Sequence, residues 1–301
     1  MDIADGQSGA GWAFLDGASV APWKGREGPF WLHEAYQLDN SLATSRITVP
    51  VLWDTKTKSI VSNDSWTIVK MMSTAFAGMG NPTPEAIEML ATDEKSGHPT
   101  LAPPELDFRS EKTHSDIYDA LLNGVYKAGL GLFINGGVEN ETVLTARKGV
   151  YDKLSELNLL LSKQRFLLGD RMTAPDVRLA MTLFRWDASY RNAFLLKDGR
   201  GGILLGNGYP HLKAYLRDLY VVMEPAIDFV AIRQYYRIPQ AIEHAAAIAA
   251  TECGDVGSAA EEKKEEQQVQ LPSIPDLRPI VASAKESAGP RPSANARKVV
   301  G

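Results

Sequence analysis

Two short groups in the first third of the chain carry residue types that can hold a small charged molecule. Asp64-Ser65 stands at the head of the apolar-periodic run Trp66–Phe76 and so opens a helix. The first amides of a helix lack intrahelical partners and carry a partial positive charge, a setting that favours an anion such as a peptide-like carboxylate. Asp and Ser are also the preferred capping residues, so an ordinary N-cap is the plainer reading, and the same residues can do both jobs. The second group is Val49-Pro50. Proline cannot donate to a ladder, which leaves the backbone before it open to a ligand, with Val49 offering its amide and carbonyl outward. An X-Pro bond is also where a cis peptide is possible.

One small β-β-α unit must position these groups. Thr48–Trp53 is β-branched and apolar, Asp54–Lys58 is a polar turn, and Ser59–Val61 resumes the strand character, which predicts a hairpin. Residues 1–47 are rich in Gly and Trp; a brief helix is expected over Trp31–Leu38, and little else there reads as strand. Residues 77–110 are rich in Pro, Gly, Thr and Ser and read as a linker, interrupted by a short helix near Pro84–Ala91.

From about residue 111 to 238 the pattern is helical. Ile117, Leu121, Val125 and Ala128 line one face of a first helix, and Val143, Ala146, Val150, Leu154 and Leu157 line a second. Thr173-Ala174-Pro175-Asp176 combines a threonine N-cap, a first-turn proline and an acid at the third helical position, a capping box for the helix Val177–Phe184. Pro210–Val221 and Asp228–Tyr236 supply two more helices. The glycines of residues 197–208 are spaced somewhat like a phosphate loop, but no strand precedes them, and the segment reads as a plain loop. Beyond Gln240 an Ala-rich helix fades into the charged run Glu261–Gln268 and a Pro/Ser/Ala/Lys mixture, which lacks the apolar residues to fold alone; Leu271–Ile280 is a candidate docking strip.

At 301 residues and 44% hydrophobic content the chain has material for two domains. A net charge of −5 and a pI near 5.6 leave no electrostatic footprint for nucleic acid or an anionic membrane, and no apolar run is long enough to span one. The single cysteine, Cys253, excludes an internal disulfide framework, and the beginning Met1–Asp5 has neither the basic nor the apolar region of a signal peptide. The expectation is a soluble, cytoplasmic protein that uses no metal.

The order of strand, Val-Pro, hairpin and acidic-Ser helix start resembles the glutathione site of the thioredoxin-like domain of glutathione transferases. Further segments sharpen the resemblance to the glutathionyl-hydroquinone reductases: Gly11-Trp12-Ala13-Phe14, Ser45–Asp54, Ile60–Ser65, Asn123–Gly129, Leu183–Asp187 with Tyr190, and Leu216–Tyr220. The resemblance implies an α+β fold: a partial thioredoxin-like unit over residues 1–80 and an all-helical transferase domain over 111–250, with the linker read from composition between them at 81–110 and the compositionally disordered tail at 251–301. It implies glutathione as co-substrate, an aromatic, hydroquinone-like second substrate, and a homodimer. Trp12 and Arg46 would hold the glycyl and cysteinyl end of glutathione, Val49 its backbone, and Asp64 with Ser65 its γ-glutamyl end. Asp64 stands where the family usually has Glu, one methylene longer. Tyr126, Tyr190 and one of Tyr235 or Tyr236, with Tyr235 taken as the third, would line the hydroquinone site and donate to the phenolate that develops as the thioether breaks. Without the resemblance, Tyr126 and Tyr190 read as core aromatics, Arg46 as a surface cation and Trp12 as a loop anchor.

The resemblance breaks at the nucleophile. These reductases use a cysteine in a Cys-Pro-Trp-Ala-type motif, whose thiolate attacks the sulfur of the glutathionyl conjugate. That motif, with the first two strands and first helix, belongs upstream of Gly11-Trp12, and the sequence holds only Cys253, beyond the final landmark. The expectation is a chain that lacks its reacting thiol, as an incomplete form of an enzyme, a truncated paralogue, or a protein completed by another chain. The alternative function is a non-catalytic transferase-like binding or dimerisation module.

Overall fold

The computed structural model describes residues 13–14, 30–42, 47–77, 79–135, 138–196 and 198–236. The chain divides between Asn81 and Pro82 into two compact units. The predicted tail, Cys253, Trp12 and Arg46 all lie outside the described residues.

The first unit is built on short elements. β1 (Ala13–Phe14) pairs antiparallel with β2 (Phe30–Trp31), and the rings of Phe14 and Phe30 stack 5.0 Å apart. These strands were not legible in the sequence, because two residues are too few to show alternation. α1 (Leu32–Asp39) follows, its first turn closed by the Glu34 carboxylate on the Trp31 amide at 2.9 Å. β3 (Leu52–Asp54) and β4 (Ser59–Ser62) form the expected hairpin. Asp54 makes its turn by accepting the amides of Lys56 (2.7 Å) and Thr57 (3.1 Å), and those bonds hold its carboxyl below the usual range. The ladder begins at Leu52, so Thr48–Val51 stands ahead of it, with a cis peptide at Val49-Pro50. α2 (Ser65–Ser73) completes the unit. Its core is small: Phe30, Leu32, Ala35 and Tyr36, with Phe14, Ile47, Val51, Trp53 and Ile60 packed around them.

The second unit carries the large core and is almost entirely helical. α3 (Pro84–Met89) is capped by Thr83 and leads to a two-residue hairpin, β5 (Ala91–Thr92) with β6 (Pro99–Thr100). The segment read as a linker is thus structured, and backbone bonds stitch it to the helical unit: Met172 N–H to the Met89 carbonyl at 2.7 Å, Ala91 N–H to Met172 at 3.0 Å, and Ala174 N–H to Leu101 at 2.8 Å. Pro and Gly content reports where the chain turns, not whether its amides find tertiary partners.

α4 (Asp107–Ile117) runs through a π-helical turn at Tyr118–Leu122 into α5 (Gly124–Ile134), and α6 (Glu141–Leu160) packs against it. The predicted stripes are the buried faces: Ile117, Leu121, Val125 and Ala128 on one helix run, Val143, Val150, Leu154 and Leu157 on α6. α7 (Ala174–Arg185) is the central helix and continues through a second π-helical turn, Trp186–Tyr190, into the short α8 (Arg191–Ala193). α9 (Pro210–Met223) and α10 (Phe229–Tyr235) close the unit.

The glycine-rich loop before α9 answers the phosphate-loop question directly. Its amides at Ile203 (3.0 Å) and Leu204 (2.5 Å) are already taken by the buried carboxylate of Asp187. Gly202 has φ +98°, and a Cβ there would fall 1.9 Å from Asp187 Oδ1. Glycine is required where the loop closes onto this buried side chain.

Candidate functional site

In the first unit, Val49 and the start of α2 are brought together by a hydrogen-bonded junction that the sequence did not announce. The Tyr36 hydroxyl, reaching from α1, donates to the Thr48 carbonyl at 3.0 Å. Asn63 Nδ2 donates to the same hydroxyl and to Thr48 Oγ1, each at 3.1 Å. Thr48 immediately precedes Val49 and Asn63 immediately precedes Asp64, so the junction ties the two predicted ligand-facing groups at their roots. Val49 is 41% exposed and Asp64 is exposed, whereas Ser65 is half-buried. Asp64 is the N-cap of α2, its Oδ1 accepting the Thr67 amide at 2.7 Å. The capping reading of this residue therefore holds in the structure.

In the second unit, three tyrosine hydroxyls meet. Tyr126, on α5, lies 2.9 Å from Tyr190 and 2.6 Å from Tyr236, and Tyr190 lies 3.1 Å from Tyr236. Tyr190 sits in the π-helical turn after α7, and Tyr236 follows the end of α10. Phe194 stacks on Tyr190 at 5.4 Å and 10° and meets Tyr126 edge-on at 5.7 Å. Tyr235 packs edge-on against Tyr236 at 4.9 Å, while the hydroxyl triad is completed by Tyr236. Adjacent residues on a helix point about 100° apart, so the third member had to be one or the other. A cue for Phe194 was present in the sequence, four residues beyond Tyr190.

Burial pushes the Tyr190 hydroxyl far above the ordinary tyrosine range, and the neighbouring Tyr236 and Tyr126 push it further. Tyr236 is raised by burial first and by Tyr126 next, with the Arg185 guanidinium pulling the other way. These two members are neutral near pH 7. Each hydroxyl has one proton, so the triad can rearrange to donate to an incoming oxygen, but it is not a base.

A pH dependence follows. Tyr190 and Tyr236, together with the buried Tyr215 and Tyr209, keep their protons in the folded state above the pKa of an unfolded tyrosine, about 10. The folded state then holds more protons than the unfolded one, so this stabilisation is fully present below about pH 10 and is lost as pH rises beyond it. Thermal melts at pH 8 and pH 11 should show a lower midpoint at pH 11. Phenolate absorbance of these residues should appear together with unfolding; full ionisation of every tyrosine in a still-folded chain at pH 11 would contradict the burial argument.

Residues 116–218 match the glutathione S-transferase C-terminal domain family. Over 228 residues the chain is 32% identical to the glutathionyl-hydroquinone reductase YqjG of Escherichia coli (strain K12), covering 75% of this chain and 62% of that protein. The glutathione-bound structure of YqjG superposes with a TM-score of 0.60 at 31% identity, over 75% of this chain and 66% of that one. The chain carries a glutathione S-transferase C-terminal domain. A Xi class transferase from Natrialba magadii has the same architecture, with a TM-score of 0.61 at 27% identity over 78% of this chain and 65% of its own. The chain spans about three-fifths of the length of its E. coli reductase relative. Its α+β architecture, with small antiparallel sheets and a helical C-terminal domain, is that of the family. Among its described residues no helix is long and apolar enough to cross a membrane, and no group of His, Cys, Asp and Glu is arranged to hold a metal ion.

Proposed function

We propose that this chain binds glutathione through Val49, Asp64 and Ser65, with Trp12 and Arg46 at the glycyl and cysteinyl end, and that its tyrosine triad receives a hydroquinone-like aromatic ring. The observation that carries the reading is the mutual hydroxyl contact of Tyr126, Tyr190 and Tyr236, together with Tyr235 and Phe194 in one aromatic cluster. Three converging hydroxyls beside stacked rings suit a phenolic ring with an oxygen that gains negative charge. The glutathione half is supported by the relative named a glutathionyl-hydroquinone reductase and by its glutathione-bound structure. In this proposal the protein is cytoplasmic and a homodimer.

Reduction of such a conjugate needs a thiolate to attack its sulfur; the aryl carbon then leaves with the electron pair and takes up a proton, giving free hydroquinone and a mixed disulfide. The described residues include no cysteine, and Cys253 is the sole thiol of the sequence. That observation favours a second reading, a transferase-like module that binds without turning over.

Calorimetry separates the parts of the proposal. The wild-type chain should bind a glutathionyl-hydroquinone more tightly than glutathione itself. Tyr126→Phe should weaken the conjugate by about five- to tenfold, the effect of one hydrogen bond between uncharged groups, while leaving glutathione affinity unchanged. Equal affinities for conjugate and glutathione would remove the triad from the site. Robust hydroquinone release that disappears in Cys253→Ser would make the chain an enzyme and overturn the binding-module reading.

A further inference from the structure

The hydroxyl of Tyr36 occupies a place that neither helix packing nor hairpin formation demands. Its ring is buried in the small core of the first unit, while its oxygen sits between two chain segments, donating to the Thr48 carbonyl and accepting from Asn63 Nδ2. Asn63 makes the junction three-sided through Thr48 Oγ1. Three residues on from Tyr36, Asp39 accepts the Ile60 amide at 2.9 Å, so one face of α1 grips both the segment before β3 and the strand β4. Each clamped residue, Thr48 and Asn63, is the immediate neighbour of a group assigned to glutathione.

We infer that Tyr36 and Asn63 are positioning residues that fix the spacing between the Val49 backbone and the helix start at Asp64-Ser65. The inference rests on the glutathione reading above. A ligand that bonds a strand backbone at one end and a helix N-terminus at the other is sensitive to that spacing, since displacements of about 1 Å at a binding constellation are costly. Besides the clamp, the two groups are joined through the β3–β4 hairpin, whose described ladder is three to four residues long on each side, and through the contacts of that hairpin with α1 at Asp39 and the small core. A two-stranded hairpin is marginal by itself and holds such a distance poorly. The phenol oxygen serves the role because it donates and accepts at once, linking a carbonyl to an amide.

The test is a double-mutant cycle on glutathione binding, measured by calorimetry with the full chain. Tyr36→Phe removes one oxygen and keeps the buried ring; Asn63→Ala removes its partner. Each should weaken glutathione five- to twentyfold, and the double variant should be within twofold of the weaker single variant, because both break one clamp. Thr57→Ala, which loses a hydroxyl contact with Ser59 at the hairpin tip, should bind as wild type. Deuterium uptake by ligand-free Tyr36→Phe should rise in residues 47–50 and 63–65, with the melting midpoint little changed. Wild-type affinity in Tyr36→Phe, or single effects that multiply in the double variant, would overturn the clamp while leaving the glutathione site standing. If the wild-type chain binds no glutathione, the glutathione reading fails, and unchanged uptake in those two segments would remove the clamp with it.

Discussion

Replacing Asp176 by Ala should strongly destabilise the helical unit. The carboxylate is fully buried and accepts from four donors: the amides of Leu167 (2.8 Å) and Thr173 (2.9 Å), the Thr173 hydroxyl (2.9 Å) and the Tyr215 hydroxyl (3.0 Å). Burial pushes its pKa up, and these bonds oppose that shift. It joins the start of α7, the loop ahead of α7 and the face of α9. Alanine would strand these donors away from water, a loss of about 3–5 kcal/mol, well beyond the roughly 1 kcal/mol of an exposed cap. For a unit of this size the melting midpoint should fall by roughly 10 °C. Asp176→Asn keeps the volume and the oxygen facing Leu167 and Tyr215 but turns an NH₂ toward the Thr173 donors, so about 2 kcal/mol is expected. Circular dichroism melts decide it: a midpoint within 2 °C of wild type for Asp176→Ala would show that the hub is not a major source of stability.

The second large effect should come from Gly129→Ala. A Cβ at this position would lie 2.2 Å from Phe194 Cγ and 2.6 Å from Phe194 Cβ, so the clash is with the root of a buried ring and not with a flexible tip. Alanine is the better helix former by about 1 kcal/mol, but overpacking a close-packed core costs about 1–3 kcal/mol or more, and here the intruding atom must displace α5 or Phe194 bodily. Phe194 stacks on Tyr190 and meets Tyr126 and Tyr236 edge-on at 5.7 and 5.9 Å, so its movement disperses the hydroxyl triad. The expected result is a net destabilisation of about 1–2 kcal/mol with at least tenfold weaker binding of a glutathionyl-hydroquinone, while glutathione, in the proposed assignment to Val49, Asp64 and Ser65, binds as before. Unimpaired conjugate binding in Gly129→Ala would mean either that the ring gives way easily or that the triad is not the aromatic site.

Both variants act on residues whose neighbourhood in sequence was readable and whose partners were not. The Thr173–Asp176 box was legible because a capping box is a contact three residues long, and the stripes from Ile117 to Ala128 and from Val143 to Leu157 were legible because helical periodicity repeats every few residues. The Asp54 turn and the Asp64 cap belong to the same class. The roles of Leu167 and Tyr215 at Asp176, of Phe194 at Gly129 and of Tyr36 at Thr48 were not legible, since no local pattern marks which distant side chain will arrive. Residues 82–110 show the converse: their composition reads as connecting chain, yet tertiary bonds to Met172 and Ala174 build them into the helical unit.

By itself, the sequence determined the α+β organisation, the faces that two of the helices bury, the caps at Asp64 and Thr173 and the Val-Pro hairpin, and through its motifs the transferase resemblance. Only the tertiary structure decided that Tyr126, Tyr190 and Tyr236, separated by 64 and 110 residues, share their hydroxyls, and that Tyr36 and Asn63 join Val49 to Asp64. The physical reason is the range of the forces involved. Periodicity and capping are fixed by contacts within one turn of chain, whereas a hydroxyl meets a distant partner only after core packing has set the angle and height of every helix between them.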